Sequence, residues 1–470
     1  MRFLPEFVFG LAVITAASLT SYSLYGQDAD PLTEDEKQAA EIVTEEVVAE
    51  TLKYLSSDEL EGRGTPSKGF DQACDYVAER FKKAGLKGLA ENESYFQITQ
   101  IKTQAVPGNG TIESVAGDEV ISYGMLAGGA DQLDWQGTLS RIDPQADHGD
   151  QRFEGAVVFE DLESRSLFRE LGTIGRIANQ VKERGAEAIV ILCGADSQLI
   201  GYAKSAREPK LENRSLNISL PVILINEETD LSGEFKLDLP AQDIGQTEVR
   251  NTIGYIEGSD ADLKDEAVIF CAHLDHLGIG GGTADDRINN GADDNASGCT
   301  GVMSLADAYA ALETPPKRTV IFMTFWGEER GLLGSRYYCD NPLWALDKTV
   351  AVINLEMIGR PESGARNKSW VTGWDQSDLG ELMAAASERS DVEIFQHPRF
   401  SDMLYRASDN WPFVERGVIA HSFSAGSLHQ DYHKVTDEFE LMQTDHMTQV
   451  IKGLFAGSLP IAHGEVTPSK

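Results

Sequence analysis

The sequence predicts an α/β protein, a mostly parallel sheet covered by helices on both faces, with a small β-rich α/β unit inserted into it. Three observations lead there. From residue 251 the chain alternates wholly apolar runs (AVIFCAH, RTVIFMTF, TVAVINL) with helix-patterned ones (SGCTGVMSLADAYAAL, GLLGSRYYCD), and strands apolar throughout are those buried on both faces. Between 101 and 248 the texture shifts to shorter β-type runs such as AVVFE, AIVILC and PVILI. Finally, clusters of His, Asp and Glu follow the apolar runs, at the strand ends where open parallel sheets carry their ligands.

Taken in chain order, residues 1–26 open with Arg2 and an apolar stretch over 7–19 that is short for a bilayer span and runs into small and polar residues. That pattern predicts a signal peptide and an exported protein, periplasmic or extracellular, with an uncleaved anchor as the alternative. No later apolar run reaches a membrane-spanning length, so no stable membrane insertion is expected after the leader is removed. Residues 33–100 read as a helical N-terminal part of the main domain. TEDEKQAAEIVTEEVVAETLKYL has helical spacing from a capping box at Thr33 and Glu36, and predicts one helix to Leu55. GFDQACDYVAERFKKAGLKG predicts a second, stopped at Gly85 or Gly88. The inserted unit spans 101–248, with one clear helix around 174–184, and the main domain resumes over 249–463.

Composition narrows the function. Asp and Glu number 76 against 40 Lys and Arg, a net charge of -36 that repels phosphate backbones and excludes nucleic acid as a partner. The five cysteines are scattered and lack close pairs, which points to buried thiols and not to a disulfide framework or a cysteine metal knot. Oligomeric state is not legible.

The chemistry lies in the polar clusters. His273, Asp275 and His276 end AVIFCAHLDH, and a His and an Asp two residues apart suit a ligand whose ring is held by the neighbouring carboxylate. Asp293 and Asp294 lie in NNGADDNASG just before a helix, where an acidic turn and N-cap is the plain alternative. Glu328 and Glu329 stand side by side after VIFMTF, and adjacent carboxylates repel unless a cation or a proton lies between them. Glu356 follows TVAVINL, and His433 lies in HQDYHKVTD. Singly each is ordinary. Together they suit zinc with nitrogen and oxygen ligands, and a bridging acid would hold two ions about 3.5 to 4 Å apart.

The ordered signatures HLDH, GADDNASG, EERGLLGS, NLEMIGR, SDNWPF and YHKVTD resemble the M28 family of zinc peptidases, and LSSDELEGRG with the inserted segment extends the likeness over most of the chain. The insert resembles the protease-associated domain of such peptidases. This resemblance implies a zinc-dependent exopeptidase fold with two Zn²⁺ ions, Asp294 bridging them, His273 and Glu356 completing one site and Glu329 and His433 the other. It further implies Glu328 as general base, Asp275 orienting His273, and Tyr405 polarising the substrate carbonyl; Asp293, beside Asp294 in the sequence, is the next candidate for the base. The expected substrates are peptides with a free N-terminus, because Asp293, Glu328 and Glu329 crowd together and favour a cationic amine over a carboxylate. His276, His421 and His429 are left off the metals. Two positions depart from the family pattern: Glu356 stands where Asp is usual, and Asn410 makes SDN where SDH is frequent. Arg360 and Arg406 keep carboxypeptidase activity as a lesser option. A cyclase, another metal-dependent hydrolase on the same fold, and a non-catalytic receptor are the alternatives; no serine has the flanking glycines of a nucleophile elbow.

Overall fold

The computed structural model describes residues 31–146, 150–162, 167–205, 210–211, 218–280 and 286–470. The expected leader over 1–26 lies outside them. No helix among the described residues is long and apolar enough to cross a membrane.

The main sheet is built from β1 (Phe96–Ala105), β2 (Asp243–Ile256), β3 (Ala267–His273), β4 (Thr319–Phe325), β5 (Thr349–Leu355), β6 (Lys368–Val371), β7 (Glu393–Gln396) and β8 (Ala420–Ser424). Their order is β7-β6-β8-β5-β3-β4-β2-β1, with Lys210–Leu211 on the outer edge of β1. The central strands β8, β5, β3 and β4 are parallel, while β2 and β1 add antiparallel on one side. On the other side β6 runs antiparallel to β8 and parallel to β7.

Alternation along the strands explains why both faces are covered. Val268, Phe270 and Ala272 of β3 join one core, against α1 (Glu34–Glu41), α2 (Glu45–Leu55), α3 (Lys68–Ala84), α4 (Gly298–Ala310) and α8 (Thr444–Ala462). Ile269 and Cys271 point the other way, into a core with Tyr338 and Cys339 of α5 (Leu333–Asp340) and Phe413 of α7 (Asn410–Glu415). The remaining long helix of the main sheet, α6 (Leu379–Ser387), packs with α8 on the first face. All five cysteines are free and buried, as their scattered spacing predicts.

The single helix expected over 33–55 is two. The capping box at Thr33 and Glu36 forms, but the chain breaks after Glu41 and restarts at Thr44, whose hydroxyl accepts from the Val47 amide as a second N-cap. The next helix ends where expected, with Gly85 left-handed at φ 89°.

Within the inserted segment, Ser122–Ala127, Val222–Asn226, Ala186–Cys193, Gly155–Glu160 and Ser140–Arg141 form one sheet in that order, and Thr111–Ser114, Phe235–Leu239 and Leu133–Gly137 form another. Ile189 and Ile191 face the helices Leu167–Glu183 and Gln198–Ser205, whereas Ala188 and Val190 face the second sheet. The helix expected around 174–184 thus begins earlier, and the shorter one went unread. The segment leaves and re-enters the main sheet along β1 and β2, paired in continuous register from Asp243 with Ala105 to Thr252 with Phe96.

Candidate metal centre

Four of the chemical side chains sit where a buried strand stops. His273 is the last residue of β3, Glu328 and Glu329 follow β4 across Trp326 and Gly327, and Glu356 follows β5 directly. Asp294 arrives from the turn ahead of α4. That helix docks tightly on β5, since a Cβ at Gly298 would lie 2.4 Å from the Leu355 carbonyl oxygen. Asn295 ties the same turn to β5: its Nδ2 donates to the Leu355 carbonyl at 2.9 Å, and its Oδ1 accepts from the Met357 amide at 3.1 Å. From the other side Asp437 accepts from the amides of Asp293 and Asp294 at 3.0 and 3.1 Å.

Two groups of potential ligands result, sharing Asp294. His273, Asp294 and Glu356 offer one atom each, all within 4.8 Å of one another, and His276, Asp294 and Glu329 do the same. His433 joins the second group, its Nε2 lying 3.1 Å from Asp294 Oδ2 and 3.2 Å from Glu329 Oε2. The His276 Nδ1 is 2.7 Å from the other Glu329 oxygen. The two oxygens of Glu329 therefore each face an imidazole. His276, left off the metals by the sequence reading, belongs to the cluster; its place three residues past the end of β3 was the available signal.

Electrostatics describe a site short of positive charge. Burial lowers the basicity of His273 and His433, yet the carboxylates around them prevail: Glu356 and Glu328 hold His273 well above the usual imidazole value, and hydrogen bonds with Asp294 and Glu329 hold His433 up at about 10. Burial opposes ionisation of Asp294 and Glu329, but their imidazole partners keep Asp294 well below the carboxylate range and Glu329 at about 2. Mixed imidazole and carboxylate donors of this kind are the chemistry of a zinc site. Glu328 differs. Burial, reinforced by the Asp409, Glu356 and Glu329 carboxylates against the pull of His273, holds it well above the carboxylate range, as befits a group that carries a proton.

Other expected roles shift. The His273 Nδ1 lies 3.0 Å from the main-chain carbonyl of Asp275 and 4.0 Å from its carboxylate, because that carboxylate accepts the Glu328 amide at 3.0 Å. Asp275 thus orients His273 through its backbone and Glu328 through its side chain. Asp293 is fully buried and both its oxygens are engaged, one accepting from the Gly359 amide at 2.7 Å and the other facing His429 Nε2 at 3.2 Å. Tyr405 stacks on His421 with ring centroids 5.5 Å apart, and among the described residues no hydrogen bond joins it to the ligand cluster. Tyr432, which the sequence reading passed over, stacks on His433 at 3.9 Å. Asn410 bonds the Tyr405 carbonyl and Ser422, so the departure at this position touches packing and not the ligand set. Ser408 of the same motif donates to Glu356 Oε2 at 2.6 Å.

With this geometry in place the relatives can be named. Residues 251–456 match the model of peptidase family M28. This region is an M28 peptidase domain. Aminopeptidase YwaD of Bacillus subtilis is 25% identical over 284 residues, covering 58% of each chain, and a probable glutamate carboxypeptidase of Arthroderma benhamiae is 33% identical over 232 residues, covering 45% of this chain and 30% of that one. The chain thus spans under two thirds of the length of these curated relatives. Among solved structures, an aminopeptidase from Aneurinibacillus sp. strain AM-1 aligns with TM-score 0.54 at 17% identity over 91% of this chain and 96% of its own. A zinc aminopeptidase from Bacillus subtilis aligns equally well, over 90% and 97%. Those likenesses fix the fold of the M28 region and its surroundings.

Proposed function

We propose that the chain is an exported metallo-aminopeptidase that holds two zinc ions and removes N-terminal residues from peptides. The observation that carries this reading is the pair of ligand groups meeting at Asp294. His273 and Glu356 would hold one ion and Glu329 and His433 the other, with Asp294 between; His276 would fix Glu329 through its second oxygen. Bound there, zinc polarises a carbonyl and lowers the pKa of water to about 7. Glu328 would take the proton of the attacking water and return it to the leaving amine. The name of the Bacillus relative supports peptides as substrates, and the leader-like sequence over 1–26 supports export.

A free α-amine is favoured by a mouth lined with carboxylates. The two arginines that left room for a carboxypeptidase are engaged elsewhere: Arg360 bonds Asp431 at 2.8 Å, and Arg406 lies over the Trp411 ring at 4.7 Å. The inserted segment, read here as a domain of its own, would border that mouth. A side chain at Gly201, on the helix Gln198–Ser205 of that segment, would begin 4.0 Å from the Arg287 guanidinium. The test is one peptide offered with a free or acetylated N-terminus and a free or amidated C-terminus, with zinc measured on the same sample. Two zinc ions per chain, loss of hydrolysis on acetylation and indifference to amidation are expected. Loss on amidation alone overturns the aminopeptidase reading.

A further inference from the structure

Arg63 is wholly buried, and among the described residues its hydrogen-bond partners are all main-chain carbonyls. Nε donates to Leu274 at 2.8 Å, Nη1 to Asn290 at 2.7 Å and also to Leu55, and Nη2 to Gly291 at 3.0 Å. Its own carbonyl accepts from the His276 amide at 3.2 Å. An unpaired buried cation is expensive to keep, so its place calls for a reason. The contacts supply one: Leu274 directly follows His273, and Asn290 and Gly291 lead into the turn that carries Asp294.

We infer that Arg63 is a positioning residue that clamps these two backbone segments together, so that His273 and Asp294 meet at the distance zinc requires. The fork suits the task, because a guanidinium offers five N–H donors in one plane, and four of them are engaged here, whereas a lysine has three on a single point. The charges that balance it lie one layer away, on Asp294, Asp275 and Asp437, with Asp437 itself holding the 293 and 294 amides. The clamp acts on the shared ligand, so its removal weakens both ion sites together.

The inference rests on the two-ion reading, and the experiment separates the two. Full-length wild type, Arg63→Lys and Arg63→Gly are compared by zinc titration against a chelator and by amide exchange of the metal-free proteins. Glycine is the tolerant choice, as residue 63 has φ 48°. Both variants are expected to bind zinc at least about tenfold more weakly at both sites in parallel, as losses around metal ligands commonly do. Exchange should quicken at 274–276 and 290–294 while the strands stay protected, and millimolar guanidinium should restore Arg63→Gly. Zinc affinities within about threefold of wild type, or exchange that quickens evenly through the chain, overturn the clamp. Should wild type bind fewer than two ions, the two-ion reading fails by itself, and the local exchange still decides for or against Arg63.

Discussion

The two proposed ligand sets share Asp294 but are built in opposite ways. His273 and Glu356 end adjacent parallel strands, so the hydrogen-bond ladder fixes their spacing, and the His273 ring is 2% exposed. His433 instead rides a loop, at φ 59° and 38% exposed, steadied by its stack on Tyr432. A ligand set on strand ends is preformed; one that includes a loop residue must also hold that loop in order. The centre therefore has a rigid half and an adjustable half, and the ion on the rigid half should be the tighter.

The largest expected effect concerns the residue both halves share. Asp294→Ala should lose both ions and all measurable peptidase activity, with metal content by elemental analysis as the check; one ion retained would show that the halves are independent. Next comes Glu328→Gln, expected to keep both ions and lose activity by about 10² to 10⁴-fold. Wild-type rates in that variant would move the base elsewhere, and Asp293, being occupied by Gly359 and His429, is no longer the obvious successor. His433→Ala should release one ion and leave the other, whereas His273→Ala should disturb the tighter one; equal losses would erase the distinction drawn above.

A smaller effect is expected of Ser408→Ala, which frees one oxygen of Glu356 and should weaken zinc binding or activity by about 10 to 100-fold. Smallest is a pH effect in the metal-free protein. His433 is held up at about 10 by Asp294 and Glu329, so the stability it contributes is complete below about pH 6.5 and disappears as pH rises through 10. Melting temperatures of chelator-treated protein should therefore fall from pH 6.5 to 10, and His433→Ala should flatten that slope. An identical slope in the variant would mean that other groups control it.

The sequence made the strand ends legible because a strand buried on both faces has no packing use for His273, Glu328 or Glu356. The sheet was legible for the same reason, with β3, β4 and β5 visible as unbroken apolar runs. What sequence left hidden were partners chosen by the fold: Arg63 lies 211 residues from the Leu274 carbonyl it bonds, and Tyr432 counts only once His433 turns toward Asp294. His276 was visible beside His273, but its position against Glu329 depends on how the chain bends after β3. The break at Thr44 was missed because a helical pattern running through a Thr reads the same whether that Thr is interior or a cap.

The ribbon formed by β1 and β2 also bears on how such a chain could be assembled from parts. An insert that leaves by one strand and returns by its antiparallel neighbour occupies the place of a hairpin turn, so the parent sheet keeps its strand order whatever is fitted between. The joint is thus a socket. The ladder between 96–105 and 243–252 fixes where the two ends of any cargo join the sheet, so 106–242 could be exchanged for a short turn or for another module while the strand ends of β3, β4 and β5 stay in place.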